Sequence, residues 1–248
     1  MRLQMALDVP LEAEEEFGIV TGSASTRTVD RALLLLSEVC EQESISLAEC
    51  ARRAQLPAST ALRLLRTLER AGFVSRGDEG SFGAGPRLIQ LGATAIGRNT
   101  LVRIATPALH RIVAATGESA YLSMRAPRDS AIYIAMVEGT HSVRHTSWIG
   151  RTVPLAGLAV GRALRDDVPP SGYVAERDRL EPDVTAIAAP VRYPGGVAGA
   201  FSALGPSYRI DDATMHDYGR IVAHEAQSLS AQLGMPHPRP TAEQDTGT

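Results

Sequence analysis

The sequence lacks the features of several protein classes. Its 248 residues include no lysine and only two cysteines, Cys40 and Cys50, and no apolar run approaches the roughly 18 residues that a membrane-spanning helix needs. The first residues, MRLQMALDVPLEAEEEFG, lack the basic start and apolar centre of a secretion signal. Two cysteines in segments that read as helix indicate reduced core thiols rather than a disulfide framework. We therefore expect a cytoplasmic protein without a membrane partner.

Charge is unevenly distributed along the chain. The formal net charge is -3, which by itself argues against a nucleic-acid partner, because neutralisation of phosphates dominates such affinity. Acidic side chains are concentrated near the start, at Glu12 and at residues 14–16, whereas arginines gather on one predicted helix face. Residues 1–24 show no periodicity, and we predict that they form a flexible acidic arm. The distribution of charge therefore leaves a DNA partner open.

Residues 25–86 carry the pattern of three short helices and a hairpin. From Thr28 apolar residues recur at helical spacing, and Ser46 is placed to cap a second helix over residues 46–54. Pro57 gives a rigid entry to a third helix, which Gly72 ends. Residues 73–82 then read as two short strands around the turn GDEG. This order, with a tight turn between the second and third helices, predicts a winged helix-turn-helix.

The third helix presents a separate arginine face. At about 100° per residue, Ser59, Arg63, Arg66 and Arg70 fall on one narrow face, away from the leucines. We interpret this helix as one that reads the major groove, and the hairpin as a wing that reaches backbone phosphates. The alternative is a solvated face of a small helical domain. The predicted DNA contacts are Arg27, Arg31, Ser59, Thr60, Arg63, Arg66, Thr67 and Arg76.

The second half of the chain alternates between strand and helix patterns. It predicts a connecting helix in GPRLIQLGATAIGRN, a helix from Pro107 to Thr116, and a long C-terminal helix that Asp211 caps. Another helix is predicted in LAGLAVGRALRD. Strands are predicted in AYLSMR, AIYIAMVEG, VRHTSWIG, TAIAAPVRY and GVAGAFSAL. Together these elements predict an α+β domain on a mostly antiparallel sheet, followed by a disordered tail over residues 236–248.

Several stretches, in their order and spacing, resemble one bacterial family. RTVDRALLLL, LAECARRAQLPASTALRLLRTLERAGFV and FGAGPRLIQLG in the first half, with TGESAYLS, IGRTVPL, AIAAPV and SALGP in the second, resemble the IclR family of transcription regulators. The resemblance covers about residues 25–234. It implies a winged helix-turn-helix domain over residues 25–86, a linker helix over 87–100 and a GAF-like α/β effector-binding domain over 101–235.

The resemblance also implies a function. Members of the family bind palindromic or repeated operators as dimers or dimers of dimers, and their effectors are often small organic acids. We therefore predict a ligand-responsive, sequence-specific DNA-binding regulator, and more narrowly a repressor that a small organic or aromatic acid releases. The partners predicted on this basis are double-stranded operator DNA, the effector and further copies of the chain.

Positions of an effector pocket are carried over from the resemblance where motifs align. Ser202 matches a hydroxyl that the family uses on a carboxylate, whereas Ala186 and Leu204 stand where a cysteine and a second serine are frequent. The two apolar replacements favour a larger or more hydrophobic ligand, such as an aromatic acid or its amide, with His145 or Ser202 as a polar anchor. The predicted pocket comprises Ser142, His145, Trp148, Val153, Glu176, Val184, Ala186, Ser202 and Leu204.

Other functions find little support in the residues. No serine or cysteine stands in a nucleophile-elbow setting, so we do not expect an enzyme. His141 and His145 are four apart but lack neighbouring metal ligands, so we expect neither a metal nor another cofactor. Trp148 fits a core or subunit-contact role as well as a ligand-facing one. A second domain that only oligomerises stays open as an alternative.

Overall fold

The computed structural model describes residues 26–77 and 79–236. The predicted arm over residues 1–24 and, apart from Pro236, the predicted tail lie outside these residues. The chain divides into two compact units between Thr94 and Ala95. The narrower domain bounds given above stay a prediction. None of the helices in the described part of the chain is long and apolar enough to cross a membrane.

The first unit has the element order that the sequence predicts. Its two short strands pair antiparallel, with Ser75 opposite Gly83. A fourth helix, α4, begins in this unit and extends past the division between the units. The elements are α1 (Arg27–Cys40), α2 (Leu47–Arg53), α3 (Ala58–Arg70), β1 (Val74–Arg76), β2 (Phe82–Ala84) and α4 (Pro86–Arg98).

Local chemistry sets the helix ends in this unit. The Oγ of Ser46 accepts a hydrogen bond from the backbone N–H of Glu49 at 3.2 Å, which caps α2 as predicted. After α3 the backbone of Gly72 has φ 76°, a left-handed conformation that glycine adopts without strain. The chain can therefore turn sharply from α3 into the hairpin.

The core of the first unit fixes the rotation of α3. Ala61, Leu64 and Leu65 of this helix are buried in a cluster with Leu35 of α1 and Phe82 of β2. Burying an aliphatic side chain of this size contributes about 1.5–3 kcal/mol. The opposite face of α3 must therefore point to solvent.

The second unit is built on one six-stranded antiparallel sheet. The strand order is β5-β4-β3-β8-β7-β6, and each neighbouring pair runs antiparallel. The α+β class predicted from the sequence is confirmed. The elements are α5 (Thr100–Thr116), β3 (Ser119–Ala126), β4 (Ser130–Val137), β5 (Thr152–Pro154), α6 (Ala159–Leu164), β6 (Val174–Arg177), β7 (Val184–Tyr193), β8 (Gly196–Pro206), a 3-10 helix (Ser207–Arg209) and α7 (Asp212–Gln232).

The two faces of this sheet bury different clusters. Because side chains alternate along a strand, Leu122 and Phe201 point to the face that α5 and α7 cover. Tyr121 and Leu204 point to the other face, where they pack with Leu155 and the side chains of α6. A candidate cavity lies on this second face.

The strand predicted in VRHTSWIG is wrong. Residues 143–150 form a loop, and the strand of this region is β5, which begins at Thr152. The loop satisfies its backbone through side chains of β3: Ser119 Oγ donates to the carbonyl of His145 at 3.1 Å, and the Tyr121 hydroxyl donates to the carbonyl of Thr146. Side-chain donors therefore replace the hydrogen bonds that a strand ladder would supply.

The helix predicted from Pro107 begins earlier, at Thr100. Asn99 Oδ1 accepts from the backbone N–H groups of Leu101 and Val102 and so caps α5, with Pro107 inside the helix. A proline removes one helical hydrogen bond, but the buried apolar side chains on both sides of it hold the helix together. Strand β6 is a further element that the sequence did not predict.

Candidate functional site

The first candidate site is the solvent face of α3. Ser59, Arg63, Arg66 and Thr67 are exposed on it, and Thr60 is half-buried at its edge. The buried face of the helix fixes this orientation, so the arginines project from a rigid core rather than from a loop. The structure therefore places the five predicted α3 residues on or beside one surface.

The arginines of α3 differ from those of α2 in their partners. Arg52 and Arg53 of α2 donate to Glu49 at 2.6 and 2.8 Å, and these hydrogen bonds lower the pKa of Glu49 to about 2. The guanidinium groups of Arg63 and Arg66, in contrast, make no hydrogen bond or ion pair with any described residue. The positive charge of α3 is thus available to an external anion.

The remaining predicted DNA contacts lie elsewhere in the first unit. Arg76 is exposed on β1, with its guanidinium carbon 5.9 Å from the centre of the Phe82 ring. Because Phe82 belongs to the buried core, this cation–π contact orients the Arg76 side chain. Arg27 and Arg31 are exposed on α1. Sequence reasoning omitted Arg70 from the predicted contacts, although helical spacing places it on the same face.

The second candidate site is a narrow cavity on the second face of the sheet. Its free volume is about 30 Å³. A single water needs about 10–15 Å³ on this scale, so the cavity holds only a few atoms unless its walls move. It is lined by Tyr133, Trp148, Leu158, Ala159, Val160, Glu176, Arg179, Leu180, Glu181, Val184, Ala186, Ser202 and Leu204.

Six of the nine predicted pocket residues line this cavity, and three do not. Ser142 is exposed in the loop before β5, while His145 and Val153 are buried behind the cavity wall. The sequence missed Tyr133, the start of α6 and residues 179–181. Alternation on β4 carries a signal for Tyr133, because it shares a face with Ala131. The apolar residues Ala186 and Leu204 led us to expect space for a larger ligand, and the small free volume of the cavity does not provide it.

Two polar atoms in the cavity wall lack partners. Ser202 is 1% exposed, and its Oγ has no hydrogen-bond partner among the described residues. The Oε2 of Glu176 is also buried without a partner in this part of the chain. Buried polar atoms are nearly always hydrogen-bonded, and an unpaired one destabilises the fold. These two atoms are therefore open to a hydrogen bond from inside the cavity.

A buried histidine stands behind the aromatic wall. The Tyr121 hydroxyl lies 2.7 Å from His145 Nδ1 and donates its proton to the carbonyl of Thr146, so we assign the Nδ1 proton to the histidine. His145 Nε2 then has a free lone pair 3.4 Å from Glu181 Oε2. Burial lowers the pKa of His145, while Glu181 acts in the opposite direction. Among the described residues, no group of three or more histidine, cysteine or acidic side chains could hold a metal ion.

The loop over residues 178–183 closes the cavity. It begins and ends with left-handed residues, Asp178 at φ 55° and Asp183 at φ 59°, a conformation that is uncommon outside glycine. Within it, Glu181 approaches His145 Nε2 and Arg151 Nη1, each at 3.4 Å. The Arg151 guanidinium also lies 4.0 Å from the centre of the Trp148 ring. The long ion pair with Arg151 therefore holds Glu181 over the aromatic wall, whereas the unprotonated His145 Nε2 cannot donate a hydrogen bond to this carboxylate.

Comparisons with known proteins identify the family of this chain. The family model described as the IclR helix-turn-helix domain matches residues 28–78, and the model described as the bacterial transcriptional regulator IclR C-terminal matches residues 93–171. The chain belongs to the IclR family. Its first unit carries the IclR helix-turn-helix, and its second unit contains most of the stretch that matches the IclR C-terminal model.

Individual relatives of this IclR-family chain include curated and solved proteins. The transcriptional repressor IclR of Escherichia coli (strain K12) is 29% identical over 165 residues, which span 64% of this chain and 60% of the repressor. An IclR transcriptional regulator from Alicyclobacillus acidocaldarius aligns with TM-score 0.72 and 28% identity over 85% of this chain and all of that structure. An IclR homologue from Microbacterium hydrocarbonoxydans, solved with 4-hydroxybenzoate, aligns with TM-score 0.67 and 22% identity over 83% of this chain and 98% of that structure.

Proposed function

We propose that this regulator is a repressor whose α3 helices, paired in a dimer, read an operator, and that a small organic ligand in the cavity releases it. The observation that carries the proposal is the pair of unpartnered guanidinium groups at Arg63 and Arg66. Arginine presents two parallel donors to guanine edges or to phosphates, so this surface fits the major groove. Relatives of the chain are regulators, and we propose no catalytic step.

Contacts with DNA divide by position. Arg63 and Arg66 contact base edges or phosphates, and the hydroxyls near the start of α3, Ser59 and Thr60, position the helix. The exposed arginines of α1 and of the wing, Arg27, Arg31 and Arg76, meet backbone phosphates. Each phosphate contact releases counterions, so affinity falls as salt rises.

Exposed apolar side chains support pairing of two copies. Val29 and Leu33 of α1 are 52% and 56% exposed, and Ile89 of α4 is 71% exposed. Helix α4 has no buried residue. Contiguous apolar side chains on a surface mark interaction sites. A dimer that covers them would present two reading helices to half-sites about 34–36 Å apart, one turn of DNA.

The unpaired Ser202 and Glu176 support the ligand part of the proposal. A cavity that served only packing would be apolar throughout, whereas this one contains two polar atoms without partners. They favour a ligand over the alternative in which the second unit only oligomerises. An aromatic acid exceeds the free volume of about 30 Å³, so it requires displacement of the loop over residues 178–183.

Binding of the ligand and binding of the operator are coupled because each favours a different arrangement of the protein. A ligand that binds the DNA-free arrangement more tightly reduces operator affinity, and typical couplings are about 5–150-fold. We propose that the organic acid acts in this direction. A gel shift that includes the acid measures both the sign and the size of the coupling.

A gel-shift titration tests the DNA-binding part. Purified chain is titrated against the intergenic DNA upstream of its own gene, with scrambled competitor, at two salt concentrations. We expect a discrete complex that survives the competitor and weakens with salt, and Arg63→Ala should weaken it by about 1–3 kcal/mol. Arg220→Ala, at an exposed arginine of α7, serves as the control. Equal binding by wild type and Arg63→Ala would remove Arg63 from the reading surface.

A further inference from the structure

We propose that the cavity selects a ligand with a hydrogen-bond donor, specifically a small hydroxy acid whose hydroxyl donates to the Glu176 carboxylate. This inference rests on the proposed ligand-binding function and adds the chemical class of the ligand. It predicts discrimination against acids of the same skeleton that lack the hydroxyl.

The sheet fixes the direction of the Glu176 side chain. Glu176 lies on the edge strand β6, opposite Ala186 of β7. Its neighbour two residues earlier, Val174, is buried in the cluster on the cavity face. Ala175 and Arg177 alternate with these two residues and point to the other face, where Arg177 Nη1 donates to Asp212 at 2.8 Å. Alternation along the strand therefore directs Glu176 into the cavity.

The carboxylate that reaches the cavity lacks a donor. Its Oε2 is buried, and no described residue supplies a hydrogen bond to it. A carboxylate accepts hydrogen bonds but cannot donate them. A bound molecule can therefore satisfy Glu176 only by bringing an O–H or N–H group. A second carboxylate at this point would meet a like charge instead.

The position of Ser202 Oγ, the second unpaired atom, determines how far apart the polar groups of the ligand must be. Ser202 of β8 lies opposite Ala188, and Ala188 lies opposite Val174, which is two residues before Glu176. Strands β6 and β8 are two strand spacings apart, so the backbones of Glu176 and Ser202 are about 10 Å apart across the strands and about 7 Å apart in the strand direction. Both residues line the cavity. One small molecule can thus donate to Glu176 and accept from Ser202.

The acid group of the ligand belongs near the other polar residues of the wall. Ser202 can donate its hydroxyl proton, and Arg179 also lines the cavity with its positive charge. Glu181 lines the same cavity and, with Glu176, disfavours a second carboxylate on the ligand. The combination fits a molecule with a carboxylate at one end and a hydroxyl at the other.

Matched acids provide the test. Binding of lactate and propionate, and of 4-hydroxybenzoate and benzoate, is measured by calorimetry on the full chain and on Glu176→Gln and Glu138→Gln. We expect at least one hydroxylated member to bind about ten- to a hundredfold more tightly than its partner, the value of one hydrogen bond to a charged group. Glu176→Gln keeps an acceptor oxygen but loses its charge, so it should reduce this preference to the smaller value of a neutral hydrogen bond, whereas Glu138→Gln, at an exposed glutamate paired with Arg144, should leave it unchanged. Equal binding within each pair, or a preference of the same size in Glu176→Gln, overturns the proposal.

A second measurement needs no ligand. Because the Oε2 of Glu176 is buried without a partner among the described residues, and such an atom destabilises the free protein, Glu176→Met should raise the Tm of the ligand-free chain by a few degrees. A Tm that stays constant or falls means that Glu176 already has a partner or is solvated, and the proposal then fails whether or not a probe binds. Operator binding is assayed separately. A chain without operator affinity that still shows the hydroxyl preference refutes the repressor function and leaves the assignment of Glu176 intact.

Discussion

Removal of the Arg209 charge should destabilise the second unit more than removal of a surface arginine does. Glu118 is fully buried beside α5, and Arg209 binds both of its oxygens, with Nε at 2.6 Å and Nη2 at 2.9 Å. The same guanidinium donates from Nη2 to the carbonyl of Val143 at 2.8 Å. Arg209→Met keeps most of the side chain length and deletes these donors. Glu118 would then be a buried charge without its cation.

The structure sets the magnitude of this effect. Loss of one partner from a buried ion pair costs about 3–5 kcal/mol. The Arg209 side chain is 21% exposed, so water can partly replace it, and we expect a loss near about 3 kcal/mol. For a chain of this size, about 2–4 °C in Tm corresponds to 1 kcal/mol, which gives a decrease of about 6–12 °C.

Urea unfolding followed by circular dichroism, together with a thermal scan, measures the loss. Arg220→Met is the matched control: among the described residues Arg220 pairs only with Asp217, at 2.6 Å on the surface of α7, and its loss should change stability by less than about 1 kcal/mol. The double variant Arg209→Met/Glu118→Gln removes the uncompensated charge and should recover part of the loss. If Arg209→Met is no less stable than Arg220→Met, Glu118 does not carry a buried charge that depends on Arg209, and the reasoning is refuted.

Two further predictions concern pH and assembly. Burial lowers the pKa of His145 below its ordinary 6.5, so the unfolded chain takes up this proton first as pH falls. The free energy of unfolding should therefore decrease from about pH 7 to pH 5.5, and His145→Gln should flatten this slope in urea titrations; an equal slope in the variant contradicts the assignment to His145. Leu33→Asp should convert the proposed dimer to a monomer in light scattering, and it should weaken operator binding without unfolding the chain. The control Tyr208→Asp, at a residue 74% exposed, should do neither. A dimer that persists in Leu33→Asp places the interface elsewhere.

The arginine face of α3 could be predicted from sequence because local rules determine it. Helical spacing separates the arginines of α3 from its leucines, and the cap at Ser46 and the left-handed turn at Gly72 depend on residues near them in the chain. What the sequence could not show is which arginines are neutralised. Glu49 binds the two arginines of α2, whereas no described residue binds Arg63 or Arg66.

The cavity was less predictable because distant segments form it. The loop that carries His145 and Trp148 resembled a strand, yet its position depends on Ser119, which lies 26 residues before His145. Tyr133 reaches the cavity through strand register, and that register shifts at a bulge between Leu122 and Ser123. The resemblance to the family located Glu176 and Ser202, but it could not show that both end in the fold without partners.

The loop before β5 links the buried ion pair of Arg209 to the wall of the cavity. Arg209 anchors the carbonyl of Val143 at one end of the loop, and Arg151 at the other end contacts both Trp148 and Glu181. A molecule larger than the free volume of about 30 Å³ must displace Glu181, because this residue lines the cavity and belongs to the closing loop. Displacement breaks its long contact with Arg151 at small cost, since partly exposed ion pairs contribute only about 0–1 kcal/mol. Ligand binding should therefore move the loop over residues 178–183 before it disturbs the sheet.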